Sequence, residues 1–300
     1  MGAEPNLAAL ATITVSYNPE PALLAAQLAQ LPAAALKVLV DNASGVSLRA
    51  QLRSLVAGRA DVLLVENETN VGLAAAINQG VARAAAHRPG CAFVLLLDQD
   101  TEPGSGGAEA LFAAWEPLRA AHPRLGAIGP RLLDVDTGLE HGFHQVAGWR
   151  WSRRFPVEEA ALAVANINGS GLLMPMALFR ELGGLREDFF IDHVDTEWSF
   201  RLLAAGRELY GLPGVRFRHR MGEKTIRFWM LGWRVWPYRS PARHFFLFRN
   251  TVRLLRTPGV PAVWKLWAPV KLAATLAAHL AFDAARWPQL TQMLRGLRAG

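Results

Sequence analysis

Within the first hundred residues, four short apolar runs at 11–16, 38–40, 62–65 and 93–97 are separated by stretches of helical length at 21–31, 46–57 and 71–87. Strands that return in parallel need a long crossover, usually a helix, so this rhythm predicts an α/β fold: a mostly parallel twisted sheet with helices on both faces. Each run ends on polar residues: Tyr17-Asn18-Pro19, Asp41-Asn42, Glu66-Asn67 and Asp98-Gln99-Asp100. Ligands of such sheets bind beyond the carboxyl ends of the strands. Four polar clusters at those ends therefore predict a crevice along one edge.

Past Gly104 the rhythm breaks. A helix is expected at about 107–121, a strand at 125–128, and a Gly/His/Trp-rich loop or substrate-facing insertion at 138–151. Gly169-Ser170-Gly171 precedes a short apolar run, Pro175 is placed as the first residue of a helix, and Gly183-Gly184 ends that helix. With 51% hydrophobic residues in 300, the chain can bury a substantial core. Its single cysteine, Cys91, excludes an intramolecular disulfide and a multi-cysteine zinc cage. No basic residue precedes Lys37, so a secretory leader is not expected, and a cytoplasmic location is.

Charge is distributed unevenly. Residues 1–200 carry a net −8 and residues 201–300 a net +15, and six of the ten Trp fall in that last third. Basic residues with Trp229, Trp233, Trp236, Trp264 and Trp267 among apolar ones suit an anionic membrane surface, so a peripheral position on the cytoplasmic face of the inner membrane is expected. A nucleic-acid partner would exploit the same charge, but it leaves the four strand-end clusters unexplained.

Several familiar sites are absent. None of the four Lys follows a Gly, no glycine-rich dinucleotide fingerprint follows the first strand, and no Ser has the flanking glycines of a hydrolase nucleophile elbow. His141 and His144 have a spacing that could bind metal, yet their glycine-rich setting favours a loop without one. Asp98 and Asp100 are more pointed. Residues i and i+2 of an extended segment face the same side, so two carboxylates can converge on a hard divalent cation such as Mg²⁺ or Mn²⁺. Such a cation would neutralise charge building on a diphosphate leaving group. Asp192, Asp195 and Glu197 open an expected helix, where acids complement the dipole. Phe189 and Phe190 before them would lower local polarity and tune a carboxylate toward a general base. His219, in Arg218-His219-Arg220, is a candidate third metal ligand.

In order along the chain, Val15-Ser16-Tyr17-Asn18-Pro19, Val40-Asp41-Asn42-Ala43-Ser44, Asn70-Val71-Gly72-Leu73-Ala74, Asn78-Gln79-Gly80, Leu97-Asp98-Gln99-Asp100, Asn168-Gly169-Ser170-Gly171 and the segment 190–201 resemble bacterial family-two glycosyltransferases. The Asp-Gln-Asp variant and the string from Ile191 to Trp198 are similar to the rhamnosyltransferase branch. The resemblance spans about residues 10–255. It implies a GT-A fold and inverting, metal-dependent transfer from a nucleotide-diphospho-sugar, dTDP-rhamnose in that branch, to a glycan or lipid-linked glycan acceptor in cell-surface polysaccharide synthesis. By position, Asp41 would read the pyrimidine, with Tyr17, Asn18, Pro19, Asn42, Asn70, Gly72, Asn78 and Gln99 around the donor. Asp98, Asp100 and His219 would hold Mg²⁺ or Mn²⁺, and Asp195 would be the catalytic base. Gly169, Ser170, Gly171, Asp192, His193, Glu197 and Trp198 would meet the acceptor, with His244 and Arg249-Asn250 near it. Val194 stands where many relatives have Glu.

The implied organisation is a catalytic domain over 1–255, with a nucleotide half at about 10–105 and an acceptor half at about 106–255, followed by a basic, Trp-containing amphipathic helical tail over 256–300. The rival enzymatic reading is a nucleotidyltransferase, which also needs an acid pair for metal but forms a phosphodiester.

Overall fold

The computed structural model describes residues 6–220, 224–229 and 233–300, with backbone only across 224–238. The chain opens as expected: β1 (Leu10–Ser16), α1 (Pro21–Gln30), β2 (Leu36–Asp41), α2 (Val46–Val56), β3 (Val62–Glu66), α3 (Leu73–His87) and β4 (Phe93–Asp98). It continues through β5 (Thr101–Glu102), α4 (Gly107–Ala113), α5 (Trp115–Ala121), β6 (Leu125–Asp134), β7 (Phe143–Ala147), β8 (Arg150–Arg154) and β9 (Leu162–Ala163). Next come β10 (Leu172–Pro175), α6 (Met176–Glu181), α7 (Val194–Ala204) and β11 (Glu208–His219). A hairpin of β12 (Lys224–Trp229) and β13 (Trp233–Tyr238) then leads to α8 (Pro241–Arg256), α9 (Ala262–Phe282) and α10 (Arg286–Ala299).

The main sheet has the order β3-β2-β1-β4-β10-β6-β11-β5, with β9 on β11. β1 to β4 pair in parallel, β6 and β11 pair in parallel, and β10 runs antiparallel to both β4 and β6. Six strands therefore share one direction, against which β5, β9 and β10 run. The sheet is mixed, and its long pairings are the parallel ones.

Two-residue alternation sorts the core onto the two faces of this sheet. Ile13 of β1, with Val94 and Leu96 of β4, joins the cluster under α3 that includes Ala74, Ile77 and Val81. Leu10 of β1, with Leu95 and Leu97 of β4, joins the opposite cluster with Leu28, Leu111 and Trp115. α3 can lie close because a Cβ on Gly80 would stand 2.6 Å from Ile13 Cγ2.

Three local expectations give way. The helix expected over 107–121 breaks at Ala114 into α4 and α5. The stretch at 138–151 is largely no loop: β7 and β8 pair antiparallel as a hairpin, from Phe143 opposite Arg154 to Ala147 opposite Arg150. Pro175 closes β10 and caps α6 rather than opening it, because its backbone is extended, with φ −64° and ψ 134°.

α8 starts at Pro241 behind Ser240, whose hydroxyl accepts from Arg243 N. It ends at Arg256, near the expected boundary, yet its Leu247 and Phe248 share a core with Leu272 of α9 and Met293 of α10. Trp264 of α9 is buried, against Phe200 and His193. Trp267 and Trp287 are exposed. The side chains of Trp229, Trp233 and Trp236 lie outside the described residues. Among those residues no helix is long and apolar enough to cross a membrane.

Candidate active site

The sheet topology assembles the site. β1, β2 and β4 deliver Tyr17, Asp41 and Asp98 to one edge. β10 runs the other way, so the loop before it reaches that edge at its start, and Gly171 N donates to Leu96 O at 2.9 Å. Ser170 Oγ donates to Asp98 Oδ2 in a short hydrogen bond. On the far side β11 pairs with β5, setting His219 opposite Thr101 and hence beside Asp100.

Asp98, Asp100 and His219 present ligand atoms that all lie within 4.8 Å of one another. His219 Nδ1 is 3.2 Å from Asp100 Oδ1, and Nε2 is 3.9 Å from Asp98 Oδ2. Nδ1 is buried and lacks hydrogen-bond geometry to any partner, an orphaned donor set that a cation would satisfy. Burial pushes the imidazole down, but contact with Asp100 and the charges of Asp98, Asp100 and Asp134 outweigh it and raise it overall. Two carboxylates and an imidazole fit a divalent ion such as Mg²⁺ or Mn²⁺.

Sequence reasoning missed what holds this turn. Gln27, fully buried on α1, donates from Nε2 to both Asp98 O and Thr101 O at 2.7 Å and accepts from Thr14 Oγ1 at 2.8 Å. A buried Gln on an otherwise apolar helix face was the available signal. Gln99 turns away from the acids, and its Oε1 accepts from Tyr17 N at 2.8 Å.

The donor-side residues form a lattice of loops. Asp41 is fully buried, accepts from Ser44 N at 3.2 Å and from Ser44 Oγ, and lies 3.3 Å from Arg49 Nε. Asn18 N donates to Ser44 Oγ, while Asn18 Oδ1 accepts from Gly45 N, fixing the turn where Tyr17 is exposed and Pro19 buried. Asn42 accepts from Val71 N and donates to Asn70 Oδ1, which also accepts from Gly72 N. Asn78, expected beside the nucleotide, instead clasps Leu185: it donates to Leu185 O at 2.9 Å and accepts from Leu185 N at 2.8 Å.

The acidic motif divides its labour. Asp195 Oδ2 accepts from Gly169 N at 3.3 Å and Oδ1 accepts from Thr196 N at 2.7 Å. Burial raises its carboxyl, the two backbone donors oppose this, and the nearby Asp98 charge adds to the rise. Asp192, expected to face the acceptor, is instead locked between Arg243 at 2.9 Å and Arg239 at 3.2 Å. Their guanidinium groups outweigh burial and hold it low. Glu197 is buried in an ion pair with Arg201 at 2.6 Å. Trp198, also expected at the acceptor, is fully buried against Phe179 and beneath Arg201. Both lie on the core face of α7, because residues two and three after Asp195 turn away from it. His193 Nε2 donates to Thr251 Oγ1 at 3.0 Å, since that hydroxyl's own proton goes to Leu247 O. Burial brings this imidazole down to about 3.

The loop before α7 is strained: Phe190, Asp192 and His193 have φ of 61°, 61° and 62°. Asn250 of α8 pins it, its Nδ2 donating to the carbonyls of Phe189, Ile191 and Asp192 at 2.8 to 2.9 Å. Leu73 N donates to Phe190 O at 2.6 Å, tying the same loop to the donor side.

A mostly parallel sheet with an acid pair and a histidine at its carboxyl edge, faced by a half-buried carboxylate, defines a glycosyltransferase of the GT-A fold. Consistent with that class, a mannosyltransferase from Pyrobaculum calidifontis, solved in complex with GDP-Man and Mn²⁺, superposes over 97% of this chain and 85% of its own with a TM-score of 0.56 at 18% identity. Residues 13–153 match the model of glycosyl transferase family 2. The chain is 26% identical over 262 residues, 83% of its length and 80% of the relative's, to the dTDP-rhamnosyl transferase RfbF of Shigella flexneri. It is 26% identical over 243 residues to the N-acetylglucosaminyl-diphospho-decaprenol L-rhamnosyltransferase of Mycobacterium tuberculosis, covering 73% and 78% respectively. Residues 13–153 thus carry a glycosyl transferase family 2 domain, and the chain as a whole is similar to rhamnosyltransferases.

Proposed function

We propose that the enzyme transfers L-rhamnose from dTDP-rhamnose, with inversion, to a hydroxyl of a lipid-linked glycan acceptor. The observation that carries this reading is Asp195: a half-buried carboxylate, raised above its ordinary range, that shares the Gly169-Ser170 loop with Asp98. The dTDP-rhamnosyl transferase of Shigella flexneri supports the donor, and the mycobacterial L-rhamnosyltransferase supports the sugar and the acceptor.

In this mechanism Asp195 takes the proton from the acceptor hydroxyl as its oxygen attacks C1 of the donor. The C1–diphosphate bond breaks on the opposite face and its electron pair leaves with dTDP. Asp98, Asp100 and His219 would hold a divalent ion, which would neutralise charge on that leaving group. The Gly169 and Thr196 backbone donors orient Asp195, and the raised carboxyl is a better proton acceptor than an ordinary aspartate. The loops carrying Tyr17, Asn18, Asp41, Asn42, Asn70 and Gly72 enclose the nucleotide. On this reading residues 1–255 are the catalytic unit, 256–300 are its basic tail, and the protein works at the cytoplasmic membrane surface.

Purified protein with Mg²⁺ or Mn²⁺ is incubated with dTDP-rhamnose, and separately with UDP-sugars, with and without a short-chain N-acetylglucosaminyl-diphospho-lipid. Acceptor-dependent dTDP release is expected; release only from a UDP-sugar overturns the rhamnosyl assignment. Asp195→Asn should lower turnover by at least about 10³-fold while still binding dTDP-rhamnose, and near-normal turnover would remove Asp195 as base.

A further inference from the structure

The hairpin β7–β8 and α9 enclose a cleft on the acceptor side that no donor-binding or metal-binding role uses. Trp267 Nε1 of α9 donates to Trp149 O at the hairpin turn at 2.9 Å, joining the two walls. At the inner end, a pocket is lined by Arg131, His141, His144, Asn166 and Asn168 among others. Asn166 Oδ1 is buried there without a partner, and His144 stacks on Trp151 with ring centroids 5.5 Å apart. Burial holds His141 near 4 and His144 near 3, so both rings are neutral hydrogen-bonding groups at neutral pH. Neutral donors and acceptors beside an aromatic ring suit a sugar. The pocket adjoins the reacting centre, because Asn168 directly precedes Gly169, the donor to Asp195.

Two cations stand at the outer side of this pocket. Arg153 of β8 donates from Nε to His144 Nε2 at 3.4 Å. Lys271 of α9, one turn beyond Trp267, is exposed to solvent and feels the charges of Arg239 and Arg153. Desolvation first, then those charges, pull Lys271 down to about 8, with Asp192 opposing. Asp192 is already held by Arg239 and Arg243, and among the described residues neither Arg153 nor Lys271 has an ion-pair partner. Crowded, unpaired cations in a cleft are an anion site awaiting its anion. Beyond them the surface is apolar: Trp149 is 78% exposed, and Leu266, Trp267 and Val270 on α9 are all exposed.

Resting on the glycosyl-transfer reading above, we propose that this cleft is the acceptor channel, in which Arg153 and Lys271 hold the diphosphate of a sugar-diphospho-lipid. Its sugar lies across the mouth of the pocket beside His141 and His144, and its apolar chain passes over Trp149 and Trp267. The order of sites along the cleft, sugar pocket then cations then apolar surface, matches the order of groups in such a molecule. The two cations are thus specificity-determining residues that distinguish a diphosphate-linked acceptor from a free glycan.

Two probes with the same sugar test this: a short-chain N-acetylglucosaminyl-diphospho-lipid and an uncharged alkyl N-acetylglucosaminide. Their Kd values are measured by calorimetry without donor on the full chain, and their KM values for rhamnosyl transfer with it. Arg153→Ala and Lys271→Ala are each expected to shrink the preference for the diphospho probe about tenfold, with Lys271→Arg keeping most of it. Equal weakening of both probes, an unchanged preference, or no binding of the diphospho probe by the wild-type protein overturns the site. Rhamnosyl transfer to both probes without preference leaves the transferase reading standing and removes the anion site. A calorimetric preference lost in the variants, without rhamnosyl transfer to either probe, supports the site and removes the rhamnosyl assignment.

Discussion

Asn250→Ala removes a single amide that reaches three carbonyls, those of Phe189, Ile191 and Asp192. Three positive-φ residues in that segment, none of them glycine, store strain of about 1 kcal/mol or more each, roughly 3 kcal/mol together. Hydrogen bonds at about 1 kcal/mol each place the amide's contribution at a similar size, about 2–3 kcal/mol. Without it the strain is no longer balanced, and the segment relaxes. That segment leads directly into Asp195, and a displacement on the order of 1 Å near a reacting group costs about 10²-fold in rate. Thermal melting and turnover of dTDP-rhamnose are the assays: the expected result is a Tm lower by about 3–5 °C together with a loss of about 10²-fold in kcat. Asn250→Asp keeps the shape, loses the donor and turns a buried carboxylate on three carbonyls, so it should be worse than Ala. If either variant melts and turns over like the wild type, the pinning role is wrong.

His219→Ala, by removing the imidazole whose Nδ1 lies 3.2 Å from Asp100, should weaken Mn²⁺ binding by at least about tenfold in calorimetry; an unchanged Kd would exclude it as a ligand. Gly72→Ala puts a Cβ 2.6 Å from the Phe190 ring and 2.9 Å from its Cα at a φ of +87°, which should cost about 3 kcal/mol or more and show as a lowered urea midpoint. His193 and His244 are held down to about 3 and about 4, in each case mainly by burial. Because unfolding lets them bind protons, their contribution is complete above pH ~6.5 and is lost as pH falls, reaching about 2 kcal/mol each by pH ~5. A urea midpoint that does not fall between pH ~7.5 and ~5 would contradict that assignment.

What the sequence exposed and what it hid divide along a physical line. Apolar runs at strand spacing and polar residues at their ends are local patterns, so the α/β architecture and the crevice edge are readable from residues 10–100 alone. Asp98 and Asp100 are readable for the same reason, being two residues apart on one extended segment. His219 is readable only as a candidate, because its proximity to Asp100 depends on β11 pairing with β5 across more than a hundred residues. The hairpin at 143–154 is hidden by its composition: β7 and β8 carry His, Arg and Gln with little alternation, and pairing with each other decides their conformation.

The acidic motif at 192–197 shows how far local spacing carries. Three acids in six residues suggest one shared surface, but a helix turns about 100° per residue, so Glu197 leaves the side occupied by Asp195 and meets Arg201 one turn on. Asp192 precedes the helix and belongs to the arginines of the following segment, Arg239 and Arg243. Of the three acids only Asp195 has no cationic partner among the described residues, so burial and the nearby Asp98 charge raise it with no cation to oppose them, and that makes it the candidate base. The same criterion selects Arg153 and Lys271 from a strongly basic C-terminal third and its neighbours. Most of the arginines around the site are already matched to Asp188, Asp192 or Glu197. Charges left unmatched in a cleft beside the reacting centre are those a substrate would complete.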